Sequence, residues 1–262
     1  MDIELTVNGF VDTVSFADDE IESIHIPILR KITDQAGDGK GTGVVMLGAP
    51  PGAGKSTLAA FWEMMSKRED QFVTLQSLSM DGFHYPNTVL RSTSGWRDGI
   101  KHPLIELKGA PETYDVSALV ETVRRLKRGK RARWPVYDRN LHEPVPDAIM
   151  VTAPVVVIEG NWMLLDEPGW RSLSDLANLR IFLETREALV RDRLVQRKRR
   201  GGASSTTAEA HYARTDAPNI RRALENRLPA DITLRLSSID DGQHMKLVSD
   251  VDLGTPTKGV AD

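Results

Sequence analysis

The sequence predicts an α/β protein, with a mainly parallel sheet layered between helices, on three observations. Short apolar runs (Val44–Leu47, Phe72–Leu78, Val155–Ile158, Leu179–Leu183, Ile232–Leu236) alternate with helical patterns (Thr57–Met65, Val116–Arg128, Arg186–Arg200, Thr206–Arg227). That order is the signature of parallel strands joined by crossover helices. Runs such as Val155-Val156-Val157-Ile158 are apolar throughout, as strands covered on both faces are. The first run leads into Gly48-Ala49-Pro50-Pro51-Gly52-Ala53-Gly54-Lys55-Ser56-Thr57, a glycine-rich turn between a strand and a helix.

Before that core, residues 3–16 alternate around Asn8-Gly9 and predict a hairpin. Ser15 to Ile32 reads as an amphipathic helix with Pro27 as a candidate break, and Asp34 to Gly43 as a Gly- and Asp-rich connector. Residues 1–40 are thus expected to form an N-terminal extension. Residues 41–240 form the core domain, with a basic helical segment around 186–215, and 241–262 a tail that frays after Gly254. Ser92–Pro103 is expected to be an irregular loop.

Bulk properties narrow the function classes. A chain of 262 residues is ample for one such domain. With 34 Lys+Arg against 37 Asp+Glu, the net charge of −3 gives no general attraction to nucleic acid or anionic membranes. Without cysteine there are no disulfides and no thiolate metal sites. The first thirty residues carry acids where a signal peptide needs basic residues and an apolar core. No apolar run approaches the roughly 18 residues of a membrane span. These features predict a soluble, cytoplasmic protein without a membrane partner, and they are compatible with a homodimer.

The glycine-rich turn fits a phosphate-binding loop, and with it the P-loop NTPase three-layer sandwich. Gly52 and Gly54 let backbone N–H groups turn inward around phosphate oxygens, so Pro51, Gly52, Ala53, Gly54, Lys55, Ser56 and Thr57 are the expected ATP contacts. Lys55 reaches the β/γ-phosphates, the Ser56 hydroxyl is a Mg²⁺ ligand, and the helix start adds its positive dipole end. The usual spacing puts a glycine where Ala49 stands; Gly48, one residue earlier, is expected to supply the bend. No Asn-Lys-x-Asp guanine motif occurs, and the strand ending Val157-Ile158-Glu159-Gly160 carries a lone Glu159, placed to hold Mg²⁺, rather than a paired Asp-Glu. Asp81, at the tip of a second strand, is placed to accept the proton of an attacking hydroxyl. Read alone, Asp81-Gly82 is a turn signal.

Several segments together resemble the phosphoribulokinase, uridine kinase and bacterial pantothenate kinase superfamily. They are Ser79-Met80-Asp81-Gly82-Phe83-His84-Tyr85-Pro86-Asn87, Lys108-Gly109-Ala110-Pro111-Glu112-Thr113-Tyr114-Asp115, Pro135-Val136-Tyr137-Asp138 and Val156-Val157-Ile158-Glu159-Gly160. The resemblance covers roughly residues 43–236 and is nearest the branch labelled fructose-transport-associated or nucleoside/nucleotide kinase-like. It implies an ATP- and Mg²⁺-dependent kinase in which Asp81 is the general base and Glu159 a Mg²⁺-side carboxylate. It also implies acceptor contacts from His84, Tyr137 and His142. The basic helix Arg186–Arg200 corresponds to a lid whose arginines cover the phosphates; Arg193 and Arg197, at i and i+4, share a face for that task.

Departures bear on the acceptor. The ribose-binding Asp of uridine kinases falls on Gly109, and the downstream pocket of pantothenate kinases is not recognisable. A small-molecule hydroxyl acceptor, a sugar or sugar-like polyol, is therefore expected ahead of pantothenate or a nucleoside. A regulatory or nucleic-acid-linked ATPase is the alternative of another class. It would draw on Arg124–Arg133, but both basic runs read as caps of helix C-terminal ends.

Overall fold

The structure, a computed structural model, describes residues 1–249 apart from 8, 37, 38, 98 and 241–243. The tail expected to fray after Gly254 lies outside the described residues. The strands are β1 (Asp2–Val7), β2 (Phe10–Ser15), β3 (Gly43–Gly48), β4 (Leu75–Ser79), β5 (Ser94–Arg97), β6 (Ile100–Pro103), β7 (Arg133–Asp138) and β8 (Glu143–Met150). They continue as β9 (Val155–Gly160), β10 (Leu179–Glu184), β11 (Ile232–Asp240) and β12 (His244–Ser249). The helices are α1 (Asp18–Glu20), α2 (Ile26–Thr33), α3 (Lys55–Arg68), α4 (Asn87–Ser92) and α5 (Val116–Lys127), then α6 (Arg171–Ser174), α7 (Glu187–Arg200), α8 (Ser205–His211) and α9 (Ala217–Glu225).

The central sheet has the order β1-β2-β12-β11-β10-β3-β9-β4. Its stretch from β11 through β10, β3 and β9 to β4 is parallel, and β12 and the β1–β2 hairpin extend it with mixed pairing. Alternate residues feed two cores. Val45, Leu47, Val155 and Val157 pack with α2 and α3 through Ile28, Phe61 and Trp62. Val44, Met46, Val156 and Ile158 pack on the other face with Leu119, Trp134 and Trp162. Burial on both faces is why these strands read as unbroken apolar runs.

Proline does not end either long helical run; each bends through a π turn instead. The N-terminal run starts at Asp18, not Ser15, and passes through a π turn at Ile21–His25 before Pro27 in the first turn of α2. The run predicted over Thr206–Arg227 likewise contains a π turn at Tyr212–Asp216 before Pro218 in the first turn of α9. Proline lacks the N–H that would reach the carbonyl four residues back, and the wider turn relieves its clash there. That carbonyl for Pro218 is Arg214 O, and it accepts from the Arg97 guanidinium at 3.1 Å.

The N-terminal segment is pinned to α3 by a buried polar chain. Trp62 Nε1 donates to His25 Nδ1 at 3.1 Å, and His25 Nε2 lies 3.0 Å from Glu20 Oε1. An indole nitrogen only donates, so Nδ1 must accept and Nε2 carries the proton toward Glu20.

The irregular loop expected over Ser92–Pro103 is instead a hairpin, β5 paired with β6. Its Trp96 is 70% exposed and its Ile100 60% exposed, so no inward-facing apolar alternation marked it in the sequence.

Candidate active site

The ends of β3, β9 and β4 gather the candidate residues at the carboxyl end of the parallel sheet, where ligands of open α/β sheets bind. Glu159 pairs in register with Leu47 on one side and with Ser79 on the other. It therefore stands between the strand that opens the phosphate loop and the strand that leads to Asp81.

In the loop, Gly52 and Gly54 take left-handed φ values of 81° and 96°, a conformation that only glycine adopts without strain. Gly48 does not supply the bend expected of it. It is the last residue of β3, and Ala49 N still bonds to Gly160 O at 3.3 Å. A side chain there would meet the Phe182 ring and Leu164 at 3.1 and 3.3 Å, so Gly48 serves close packing. The turn itself runs from Pro50, whose carbonyl accepts from Ala53 N at 3.4 Å.

Ser56 and Glu159 meet: the Ser56 hydroxyl donates to Glu159 Oε1 at 2.9 Å. Burial pushes the Glu159 carboxyl up, against the pull of Lys55 and with a further push from Asp81. Burial likewise lowers the Lys55 ammonium, opposed by Glu159 and Asp81.

Asp81 sits two residues past β4 in a short 3-10 turn, where its N–H bonds to Ser79 Oγ at 3.3 Å. Its carboxylate accepts from Tyr114 Oη at 3.2 Å and lies 3.6 Å from an Arg139 guanidinium nitrogen. Burial works to raise its carboxyl, but His84, Arg139, Lys55 and the Tyr114 hydroxyl together hold it below its ordinary value. His84 is itself pushed down by burial, with Asp81 opposing.

His84 Nδ1 lies 2.8 Å from Asp81 O; a carbonyl only accepts, so Nδ1 carries the proton and Nε2 is left as an acceptor. The ring lies against Tyr114 and Tyr137, with centroids 3.8 and 5.1 Å away. Lys108 Nζ stands 5.0 Å from the Tyr137 ring centre and donates to Asn87 Oδ1 and His142 O at 2.5 and 2.7 Å. His142 lies in the exposed β7–β8 turn with a left-handed φ of 53°. Its carbonyl joins this cluster, accepting from Lys108 and Asn87.

Asp81-Gly82 is more than a turn. A Cβ on Gly82 would lie 2.1 Å from Pro135 O and 2.4 Å from Pro135 C, both backbone atoms of β7. Gly82→Ala should therefore push Asp81 off β7, lowering stability by about 1–3 kcal/mol and abolishing activity. Urea denaturation and ADP release check this, and wild-type values for both would refute the close-approach account.

Helix α7 packs on the loop. Leu194 of α7 is so close to Gly52 that an added Cβ would come within 2.9 Å of its Cγ, and Arg197, one turn on, bears electrostatically on Lys55. Burial lowers the Arg193 and Arg197 guanidiniums; Arg139 adds to this for Arg197, while Asp216 and Asp81 oppose it. Burial pushes His211 down to about 4, helped by Lys198, Arg214 and Arg197. Its 3.9 Å contact with Asp216 does not reverse that push. The folded state thus refuses a proton that the unfolded chain takes up at the ordinary value of 6.5. Stability contributed here is full above that value and is lost as pH falls from 6.5 toward 4. Melting temperatures at pH 7 and pH 5 should show a drop that His211→Gln reduces; an unchanged drop would exclude this histidine as the source.

The sequence did not single out Arg139, Tyr114, Lys108, Arg97 or Asn161. Arg97 links the hairpin to the π turn and α9, reaching Asn219 Oδ1 at 3.3 Å as well as Arg214 O. Trp162 Nε1 donates to Gly109 O at 3.0 Å and holds the left-handed turn there. Asn161 Oδ1 is the one buried side-chain polar atom without a hydrogen-bond partner among the described residues.

Residues 44–217, the span that carries the loop, Asp81, Glu159 and α7, match the family model described as Phosphoribulokinase / Uridine kinase family. The chain belongs to this family. Within the phosphoribulokinase/uridine kinase family it is 42% identical over 238 residues to the uncharacterized Escherichia coli (strain K12) protein YggC, covering 90% of this chain and 96% of that one. A Schizosaccharomyces pombe protein named "Putative uridine kinase" is 28% identical over 200 residues, 73% of this chain and 82% of that one. Pantothenate kinase of Sodalis glossinidius is 31% identical over 163 residues, 58% of this chain and 49% of that one. Among solved structures, the "putative fructose transport system kinase" of Silicibacter sp. TM1040 superposes with a TM-score of 0.70 at 32% identity, covering 79% of this chain and 98% of that one. The protein is a kinase of this family, with the family's α/β fold and mainly parallel sheet. Among the described residues, no helix is long and apolar enough to cross a membrane.

Proposed function

We propose that the protein moves the γ-phosphate of ATP onto a hydroxyl of a small sugar or polyol. The observation that carries this reading is Asp81, an ionised carboxylate fixed by Tyr114 and Arg139 across Glu159 from the phosphate loop. There it takes the proton of the attacking hydroxyl as the oxygen–phosphorus bond forms and ADP leaves. Residues Pro51–Thr57 wrap the phosphates, Lys55 offsets the β/γ charge, and Arg193 and Arg197 cover the transferred group.

Ser56 and Glu159 fit a Mg²⁺ ion through their donor chemistry: two hard oxygens already in contact, one a carboxyl that burial leaves short of compensating charge. Among the described residues no cluster of three His, Cys, Asp or Glu exists to hold a metal alone, so nucleotide oxygens and water would complete the shell, as is usual for Mg²⁺. Bound there, Mg²⁺ supplies charge neutralisation to the phosphates.

A sugar-like acceptor accords with the name of the Silicibacter protein, a putative fructose transport system kinase. The pantothenate kinase and putative uridine kinase relatives keep those acceptors as the second reading. A coupled ADP-release screen over sugars, polyols, nucleosides and pantothenate tests the proposal. Turnover should stay low until the right hydroxyl compound is added; turnover driven instead by polynucleotide would point to a regulatory ATPase.

A further inference from the structure

Arg139 belongs neither to the phosphate loop nor to α7, yet it bears electrostatically on Lys55 and Arg197 as well as on Asp81. It comes from the turn after β7, and the fold fixes that turn beside the general base. Trp134 Nε1 donates to Ser79 O at 2.8 Å, and Pro135 O stands 2.1 Å from where a Cβ on Gly82 would be, so β7 is pinned to the Asp81 segment at two points. Past β7, Asp138 Oδ1 accepts from the N–H groups of Asn140 and Leu141 at 2.8 and 3.0 Å, which sets the backbone around Arg139.

The side chain is held far less than its backbone. Among the described residues its one ion pair is the 3.6 Å contact with Asp81 Oδ2, too long for a hydrogen bond, and it is 35% exposed. Tyr114 Oη takes Asp81 Oδ1, so Oδ2 is the oxygen left to receive a proton. A guanidinium is a permanent charge in a protein. When Asp81 takes the acceptor proton its charge is cancelled, and Arg139 loses its counterion. At that same moment the transferring phosphoryl carries charge spread over its three equatorial oxygens. Three cations in mutual reach, Lys55, Arg197 and Arg139, repel one another unless an anion lies among them.

We propose that Arg139 is a further catalytic residue, an arginine supplied in cis by the β7–β8 turn, whose guanidinium passes from Asp81 to the oxygens of the transferring γ-phosphoryl. The inference rests on the phosphoryl-transfer reading but can fail separately from it. In the step, the acceptor oxygen bonds to phosphorus and its proton goes to Asp81 Oδ2. The bond from phosphorus to the β,γ-bridging oxygen breaks, and ADP keeps the electron pair. Arg139 gives up no proton; it offsets charge. One piece of backbone then places the general base and the cation that serves it, whereas Arg193 and Arg197 come from α7.

A transition-state mimic reads this contact whatever the acceptor is. Mg·ADP is titrated by calorimetry into the full chain with and without aluminium fluoride, a flat anion that stands in for the phosphoryl in flight. The wild type should bind about tenfold or more tightly with the fluoride present. Arg139→Met should lose most of that gain while binding Mg·ADP itself within about threefold of wild type, which shows that it folds. Arg139→Lys should keep part of the gain, because it retains a charge but not the planar fork. If Arg139 only held Asp81 ionised, Arg139→Met would keep the full gain and merely move the acid limb of the pH–rate profile; that result would overturn the proposal. A wild type without any fluoride-dependent gain would overturn it too, as would loss of Mg·ADP binding in both variants. Acceptor-dependent ADP release beside any of these results would leave the kinase reading standing.

Discussion

Asp81→Asn should bind Mg·ATP as the wild type does while losing roughly 10²–10⁴-fold in phosphoryl transfer, the range for removing a positioned general base. The amide matches the carboxylate in shape and can still accept from Tyr114 Oη, so the turn over Met80–Phe83 should survive. What it cannot do is take a proton. Single-turnover transfer with saturating acceptor, set beside nucleotide affinity from calorimetry, separates the two effects. Full transfer by the variant would end the general-base assignment. The wild-type pH profile carries the matching sign. Cations hold the Asp81 carboxyl below its ordinary 3.8, so it stays ionised, and active, down to more acidic pH than an ordinary carboxylate.

Lys55→Ala should weaken ATP binding and also slow transfer by about 10²–10³-fold, as loss of a preorganised group facing developing charge does. Lys55 is half-buried at the start of α3 and balanced by Glu159 and Asp81. Its removal also leaves those two carboxylates repelling each other across the cleft. Nucleotide affinity and kcat should therefore fall together, in contrast to Asp81→Asn. Unaltered nucleotide affinity would refute the phosphate-site assignment.

Much of the donor side was legible because its chemistry is local. The loop from Gly48 to Thr57 is contiguous, its left-handed glycines are encoded where they are needed, and the Asp81 and Glu159 segments each end a recognisable strand. The acceptor side was less so. Asp81 meets Tyr114 and Arg139 across 33 and 58 residues, and Lys108 reaches across 34 residues to His142 O. No pattern in a single sequence announces such pairs. The β5–β6 hairpin was missed because its apolar side chains face outward, and the Asn219 contact because its partner, Arg97, is 122 residues away.

By itself, the sequence determined the alternation of two-faced apolar strands and helices, the phosphate loop and the family's motif residues. These depend on residue type and on spacings of a few positions, which short-range sterics and burial enforce. The tertiary structure decided which cations surround Asp81, that Gly48 and Gly82 are glycine for want of room, and that the His142 carbonyl accepts from Lys108. Those outcomes depend on how distant segments approach one another, and that approach is set by packing across the whole sheet rather than by any local run of residues.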